Sequence, residues 1–176
     1  MKTLIIYTSQ TGFTKKYADW IAKRLQADLL DVRDAKKKKM SDFDSYDAII
    51  FGGWAMAGKV TKSKWFLGKA PAWKDKKLAL FCVGASPKEN PDVEASLKNL
   101  LTDEQRGYIR TFYCQGGLNY GRMKAPSKLA CKALVSMLNK KKDASQKEKD
   151  MAEMLSHSYD ISDEKYIEPI VEYVLG

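Results

Sequence analysis

Three apolar runs constrain the fold more than any other feature of the sequence. They lie at residues 3–7, 47–53 and 77–84, and each is apolar at nearly every position. Strands that are apolar throughout are typical of a parallel sheet covered by helices on both faces. Helix-period segments separate the runs, and shorter strand-like stretches lie at residues 28–32 and 108–114. The sequence therefore predicts an α/β fold, a doubly wound sheet of five parallel strands in the order 2-1-3-4-5.

The 176 residues suit a single domain, with a basic helical insertion at about residues 115–161, before the last helix. Within it, residues 127–140 have helical periodicity and residues 143–155 suggest a second, short helix. We expect the apolar side of the first of these helices to join the core: Leu129, Ala130, Ala133, Leu134, Met137 and Leu138. In the last helix, Ser162 is the predicted cap and Pro169 the predicted kink.

A turn rich in hydroxyl groups follows the first predicted strand: Ser9, Gln10, Thr11, Gly12, Phe13 and Thr14. Backbone N–H groups, hydroxyl groups and the positive end of the next helix together favour binding of a phosphate. A simpler interpretation is that Thr11 or Thr14 only caps that helix. The turn lacks the Gly-Lys-Ser/Thr of a P-loop and the three glycines of a dinucleotide fingerprint, which argues against ATP and NAD.

Two more loops follow strands of the predicted sheet. The first contains Gly53, Trp54, Ala55, Met56, Ala57 and Gly58, and the second contains Gly84, Ala85 and Ser86. Glycines at a strand end permit close approach of a flat ligand, and Trp54 could stack on it or simply pack over the sheet edge. In a doubly wound sheet, ligands bind where the strand order reverses, between strands one and three. The hydroxyl-rich turn after strand one and the Gly53–Gly58 loop flank that crevice, which makes stacking the better interpretation of Trp54.

The pattern Ser9-x-Thr11-Gly12-x-Thr14 after an N-terminal strand resembles that of the flavodoxin family. The resemblance implies that this turn holds the phosphate of FMN, and that the Gly53–Gly58 and Gly84–Ser86 loops hold its rings. It also implies that the chemistry belongs to the flavin, so no catalytic side chain and no metal site is expected. Four glycines are candidates for a backbone flip beside the ring, Gly52, Gly53, Gly58 and Gly84.

The positive charge is concentrated in the insertion. Residues 121–149 hold nine basic and two acidic residues, which is a net +7 of the chain's formal +9. Flavodoxins of the resembled family are acidic around the flavin, so this chain is expected to meet an acidic redox partner or an anionic small substrate instead. One hypothesis is that Arg122, Lys124 and Lys128, with Gly117 nearby, guide an anionic substrate or an anionic membrane surface to the flavin. The alternative is a solvated, lysine-rich helix face.

The resemblance makes an FMN-binding oxidoreductase or electron-transfer protein the first expectation, and two other functions stay open. The insertion and the run from Tyr113 to Tyr120 resemble flavodoxin-like protoporphyrinogen oxidases of heme biosynthesis, which use a quinone acceptor. The chain has Trp54-Ala55-Met56-Ala57 where those enzymes commonly have a Ser-x-Arg-Tyr stretch, so an arginine for a porphyrin carboxylate is missing. A basic nucleic-acid-binding module without flavin is the lower-ranked alternative, since the basic segment lacks interleaved aromatic residues.

Cysteine and histidine content indicate the compartment. Cys82, Cys114 and Cys131 are an odd number without C-x-x-C spacing, which is typical of reduced thiols in the cytoplasm. Cys82 and Cys114 lie in predicted strands and are expected to be buried. With one histidine, a His-based metal site or catalytic triad has little support. We expect a cytoplasmic protein without a signal peptide, with peripheral contact at the inner face of the membrane as a further hypothesis.

Overall fold

The computed structural model describes residues 1–56 and 58–176. Its strands are β1 (Thr3–Tyr7), β2 (Asp28–Asp31), β3 (Ala48–Met56), β4 (Lys59–Val60), β5 (Lys77–Gly84), β6 (Ile109–Gln115), β7 (Gly117–Leu118) and β8 (Tyr159–Asp160). Its helices are α1 (Phe13–Leu25), α2 (Val32–Ala35), α3 (Ser63–Lys69), α4 (Pro91–Lys98), α5 (Asp103–Arg106), α6 (Ala125–Lys140), α7 (Gln146–Ser156) and α8 (Glu168–Leu175). Short 3-10 turns span Met40–Phe43, Ala70–Trp73 and Glu164–Ile167.

The central sheet has the predicted topology. Its parallel strands lie in the order β2-β1-β3-β5-β6, which is 2-1-3-4-5 when only the parallel strands are numbered. In β1, Leu4 stands opposite Asp28 of β2 on one side and Ile49 of β3 on the other. The direction of winding therefore reverses between β1 and β3. The carboxyl ends of these strands carry the hydroxyl-rich turn at residues 9–14 and the Gly53–Gly58 loop.

Both faces of the sheet are buried, as the continuous apolar strands predict. On one face Ile6, Phe51 and Leu80 pack with Phe66 of α3 and Val93 of α4. On the other face, side chains of the same strands pack against α1 and α8: Ile5, Ile50, Phe81, Tyr17, Ile21, Ile170 and Val174. Each strand contributes to both clusters because successive side chains point to opposite faces.

The third predicted strand is longer than the sequence suggested. β3 continues past the two glycines to Met56 and turns back as β4, with Ala55 opposite Val60 and Met56 opposite Lys59. The glycines do not end the strand, because they make room for neighbouring side chains. A Cβ on Gly53 would lie 2.6 Å from Cγ1 of Val60, and one on Gly52 would overlap the ring of Phe81.

The insertion is built on a small antiparallel pair, β7 and β8, with α6 and α7 between them. Both helices are present as predicted, but the expectation that the apolar side of α6 is core is wrong. Leu138 is buried, whereas Leu129, Leu134 and Met137 are exposed. Helical periodicity identifies an apolar side without showing whether anything covers it. The prediction failed because α6 packs chiefly on α7.

The C-terminal segment corrects two smaller predictions. Asp163, rather than Ser162, caps the 3-10 turn, because its carboxylate accepts a hydrogen bond of 2.9 Å from the N–H of Lys165. Pro169 lies in the first turn of α8, where a missing N–H costs nothing, so it does not kink that helix. Within the described residues, every helix is too short or too polar to cross a membrane.

Candidate functional site

The turn between β1 and α1 is held at both ends by backbone bonds. The N–H of Thr8 donates to the carbonyl of Gly52 at 2.9 Å, and the N–H of Lys16 donates to the carbonyl of Gly12 at 2.9 Å. Between them, the hydroxyl of Ser9 accepts a bond of 3.2 Å from the N–H of Gly12. Gly12 has a φ of 106°, a conformation that favours glycine. Residues 9–12 therefore form a tight turn at the carboxyl end of β1, and Phe13 and Thr14 begin α1.

The first turn of α1 has the character of an anion site. Gly12 is the N-cap residue, and no side chain in the described part of the chain caps the helix. The interpretation that Thr11 or Thr14 merely caps α1 is therefore wrong, since Thr14 lies inside the first turn and is buried. The first N–H groups of a helix have no partner within the helix and carry its positive dipole end. They remain available for an anion.

The second predicted loop is a rigid β-hairpin. Trp54 is half-buried, and its carbonyl accepts a bond of 3.0 Å from the N–H of Thr61, while Met56 at the tip is exposed. Gly58, with a φ of 71°, completes the turn. Ala57, a predicted ring contact, lies outside the described residues. The indole of Trp54 is thus carried by paired backbone beside the crevice.

The third predicted loop, Gly84 to Ser86, has three consecutive carbonyls engaged. The carbonyl of Gly84 accepts from the N–H of Gly116 at 2.7 Å. The carbonyl of Ala85 accepts from the hydroxyl of Tyr159 at 2.8 Å, and that of Ser86 from the hydroxyl of Tyr113 at 2.7 Å. Burial raises the pKa of both tyrosines, that of Tyr159 to about 12, so both hydroxyls keep their protons at neutral pH.

These bonds revise the hypothesis of a flipping glycine. The carbonyls of Gly52 and Gly84 are already bonded, and Gly53 is enclosed by β4. Of the four candidates, Gly58 is the one with a positive φ, and nothing lies within 4 Å of the position that a Cβ would take there. A backbone rearrangement in this set therefore fits Gly58 best.

The insertion folds back onto the first turn. The N–H of Lys124 donates to Oε1 of Gln10 at 3.2 Å, so Gln10 contributes its side chain and not only backbone. The guanidinium of Arg122 lies against Gly12, and both line a cleft of about 480 Å³ with Lys16. Asn119 fixes the approach, because its Oδ1 accepts from the N–H of Arg122 at 3.1 Å.

The predicted substrate residues separate in space. Arg122 joins the anion-binding turn, whereas Lys128 lies over the ring of Tyr120 at 6.0 Å and lines a different groove. The side chain of Lys124 is exposed, and Gly117 lines the central cavity described next. The structure therefore does not gather the three cations at one point beside the crevice.

One cavity of about 590 Å³ joins the three loops to the insertion. A cavity of this size is ordinary for a cofactor or small ligand. Its walls are mostly apolar, and the predicted residues among them are Gln10, Thr11, Phe13, Thr14, Trp54, Ala55, Met56, Gly84, Ala85 and Gly117. The insertion adds Leu118, Met123, Ser127, Ala130, Cys131, Leu134 and Leu155. Gly58 and Ser86 line an adjoining cavity of about 270 Å³.

The cavity offers little acid–base chemistry. Among the described residues that line it, Cys131 is the one ionisable side chain, and burial raises the pKa of its thiol. Cys82 and Cys114 are buried within the sheet as predicted, and burial raises the pKa of the Cys82 thiol to about 12. A site with these walls can hold a flat, largely apolar ring and exclude water from it.

Comparison with known proteins identifies the family. Residues 4–145 match the family model described as a flavodoxin domain. The chain belongs to the flavodoxin-domain family. The matched stretch contains all three loops and α6, and membership implies a flavin cofactor at the general level.

Two relatives support the assignment. The chain is 36% identical over 72 residues to a flavodoxin of Haemophilus influenzae, a stretch that covers 40% of this chain and 36% of that protein. It is 32% identical over 127 residues to the flavodoxin-like domain-containing protein BilS of Clostridioides difficile, covering 69% of each. The matched stretch thus spans about a third of the first relative and about two thirds of the second.

A solved structure gives a weaker likeness. The WrbA-like flavodoxin of Agrobacterium tumefaciens is 21% identical to this chain and superposes with a TM-score of 0.48. The match covers 72% of this chain and 87% of the other chain. The family assignment therefore rests on the match of residues 4–145 to the flavodoxin-domain model and on the strand order of the sheet.

Several residues of this flavodoxin-domain protein were not singled out from the sequence as site residues. Cys131, Leu134 and Leu155 line the cavity, and Tyr113 and Tyr159 hold the third loop. Tyr113 lies near the carboxyl end of β6, where its side chain can reach the loop that follows the neighbouring strand. The others belong to the insertion, whose path over the cavity leaves no signal in hydrophobic periodicity.

Proposed function

We propose that the protein binds FMN in the 590 Å³ cavity and works as an electron-transfer flavoprotein. The observation that carries the proposal is the convergence of three loops on one cavity, with an anion-binding turn at one end and apolar walls at the other. Bound FMN supplies transfer of one or two electrons. The protein supplies binding, orientation and exclusion of water.

The phosphate end is built from the turn and its neighbours. The free N–H groups of α1, the hydroxyls of Ser9 and Thr11 and the backbone at Gly12 suit a phosphate. Arg122 adds a guanidinium, which recognises phosphate through several parallel N–H groups. Flavin phosphate would therefore meet both a helix dipole and a full positive charge.

The ring end is built from apolar surfaces. Trp54 and Met56 on the hairpin, the Gly84–Ala85 backbone and Leu134 of α6 leave a slot between them. Aromatic and thioether side chains pack well against a flat conjugated ring. Because the described lining contains a single ionisable group, Cys131, we favour electron transfer over a reaction that needs acid–base side chains.

The charge of the chain favours an acidic redox partner. With a pI of about 9.3, the protein would repel the basic partners that acidic carriers attract. Association with a partner of opposite charge should therefore weaken as salt concentration rises.

Equilibrium titration of flavin-free protein with FMN, riboflavin and FAD tests the proposal. We expect FMN to bind more tightly than riboflavin, with quenching of flavin fluorescence, and FAD to bind least well. Trp54→Leu should weaken FMN binding. The matched control is Trp20→Leu, since Trp20 lies on α1 and packs on Tyr17 with ring centroids 5.1 Å apart. Protein that binds none of the three flavins would refute the proposal.

A further inference from the structure

The exposed side of α6 forms an apolar surface at the mouth of the cavity. The exposed fraction is 70% for Leu129 and 62% for Met137, and Ala133 between them is exposed as well. Residues four apart lie on one side of a helix, so these three form a continuous stripe. Single exposed apolar residues are ordinary, but a contiguous patch marks an interaction site.

The stripe continues into the flavin cavity. Ala130 and Leu134 lie beside it on the helix and line the cavity wall. Across the mouth, Met56 at the tip of the hairpin is also exposed. The stripe therefore lies beside helix residues that line the cavity.

Positive charge surrounds this stripe. Residues 122–142 contain one arginine and six lysines without a single carboxylate. Lys128 and Lys132 flank the stripe, Lys124 precedes it, and residues 140–142 close its C-terminal end. Apolar side chains framed by cations complement a surface that has negative charge outside and hydrocarbon beneath.

The kind of cation distinguishes a membrane from a protein partner. Interfaces between proteins are enriched in arginine and depleted in lysine, because the planar guanidinium makes directional paired bonds. Around this stripe the cations are lysines, whose long stems can lie along apolar surface while the ammonium reaches lipid headgroups.

We propose that α6 is a membrane-binding helix that lies flat on an anionic bilayer. Leu129, Ala133 and Met137 enter the headgroup region, and the surrounding lysines contact anionic lipids. The mouth of the cavity then opens at the bilayer surface. This proposal concerns the surface of α6 and does not require that flavin be bound.

Co-sedimentation with vesicles tests the proposal on the full chain. One set of vesicles contains phosphatidylcholine alone, and the other contains phosphatidylcholine mixed with phosphatidylglycerol. We expect binding to the mixed vesicles only, and release at high salt. Leu129→Ser/Met137→Ser and, separately, Lys128→Gln/Lys132→Gln should each reduce the partition coefficient by about tenfold.

Matched controls lie elsewhere on the chain. Leu175→Ser removes a leucine that is 67% exposed on α8, and Lys36→Gln/Lys38→Gln removes two charges outside α6. Both control variants should bind like the parent. Circular dichroism checks that all variants are folded, since the changed side chains are exposed except that of Lys128, which is half-buried with its ammonium 6.0 Å from the centre of the Tyr120 ring.

Three results with the two kinds of vesicle and the variants would overturn the proposal, in addition to the parent result given next. They are equal binding to both kinds of vesicle, unchanged binding of the α6 variants, and an equal loss in the control variants, which would indicate diffuse charge attraction. Failure of the parent chain to bind mixed vesicles at low salt would also reject it, and would leave an acidic protein as the occupant. Flavin content, measured on the same samples, reports separately on the proposed function.

Discussion

The guanidinium of Arg122 lies beside Gly12, where a Cβ on the glycine would come 3.1 Å from Nη1 of the arginine. Gly12 begins α1, whereas Arg122 belongs to the insertion, so the two meet only in the folded chain. The flavodoxin turn that the sequence resembles usually binds phosphate without a facing cation. The insertion thus brings a positive charge to a site that the rest of the fold already prepares for an anion.

Arg122→Met should weaken FMN binding selectively. Loss of one charge-assisted contact at an exposed site is worth about 1 to 1.4 kcal/mol, which corresponds to an increase in Kd of about fivefold to tenfold. Riboflavin has no phosphate, so its Kd should not change. Lys124→Met is the control, because its backbone rather than its side chain contacts the turn. An equal loss for FMN and riboflavin would contradict the assignment of Arg122 to the phosphate.

Gly12→Ala should destabilise the protein and weaken FMN binding. A side chain at a φ of 106° costs about 1 kcal/mol, and the added Cβ would press on Arg122. Gly68→Ala is the matched control, since Gly68 lies in α3 with nothing within 4 Å of its Cβ position. The control should stabilise the protein by about 0.5 kcal/mol or more. Chemical denaturation measures the stability of both variants. A Gly12→Ala variant as stable as the parent would argue against the tight turn.

Tyr159→Phe should lower stability by about 1 kcal/mol, because the carbonyl of Ala85 loses its donor. Burial raises the pKa of Tyr159 from 10.0 to about 12 in the folded protein. Between those values the unfolded state ionises first, so the contribution of the hydroxyl is complete below pH 10 and lost as the pH approaches 12. The difference in unfolding free energy between parent and variant should therefore shrink over that range. A difference that stayed constant from pH 8 to pH 12 would contradict this pKa shift.

Cys131 should report on occupation of the cavity. Its half-buried thiol lines the cavity, whereas Cys82 and Cys114 are buried. Burial raises the pKa of the Cys131 thiol, so alkylation by iodoacetamide should be slow at neutral pH and faster at higher pH. FMN should slow that alkylation severalfold. Cys131→Ala should remove the alkylation of native protein that is assigned to Cys131, as mass spectrometry would reveal. Equal rates with and without saturating FMN would place the flavin elsewhere.

The sheet and the tight turn before α1 could be predicted from the sequence because both are local. Continuous apolar runs such as that ending at Val83 require burial on both faces, and the turn at Gly12 follows directly from the residues beside it. Strand order then follows from the few ways in which such units can pack.

The insertion could not be predicted in the same way. Its strands β7 and β8 contain two residues each, too few for a periodic signal, and their pairing joins distant segments. Leu129 and Met137 have the spacing of core residues, yet both are exposed. The hairpin after Gly53 has a related cause. The sequence predicts a strand end at the two glycines, whereas the ring of Phe81 requires the missing side chain of Gly52 and Val60 requires that of Gly53.

The visible absorption spectrum of the purified full-length protein, followed by identification of any released chromophore, tests the central claim most directly. The account predicts a yellow protein that releases FMN on denaturation, close to one per chain. Flavin-free preparations should recover the same spectrum when FMN is added, and should lose that ability with Trp54→Leu. A colourless protein whose spectrum and stability do not respond to added FMN would contradict the account.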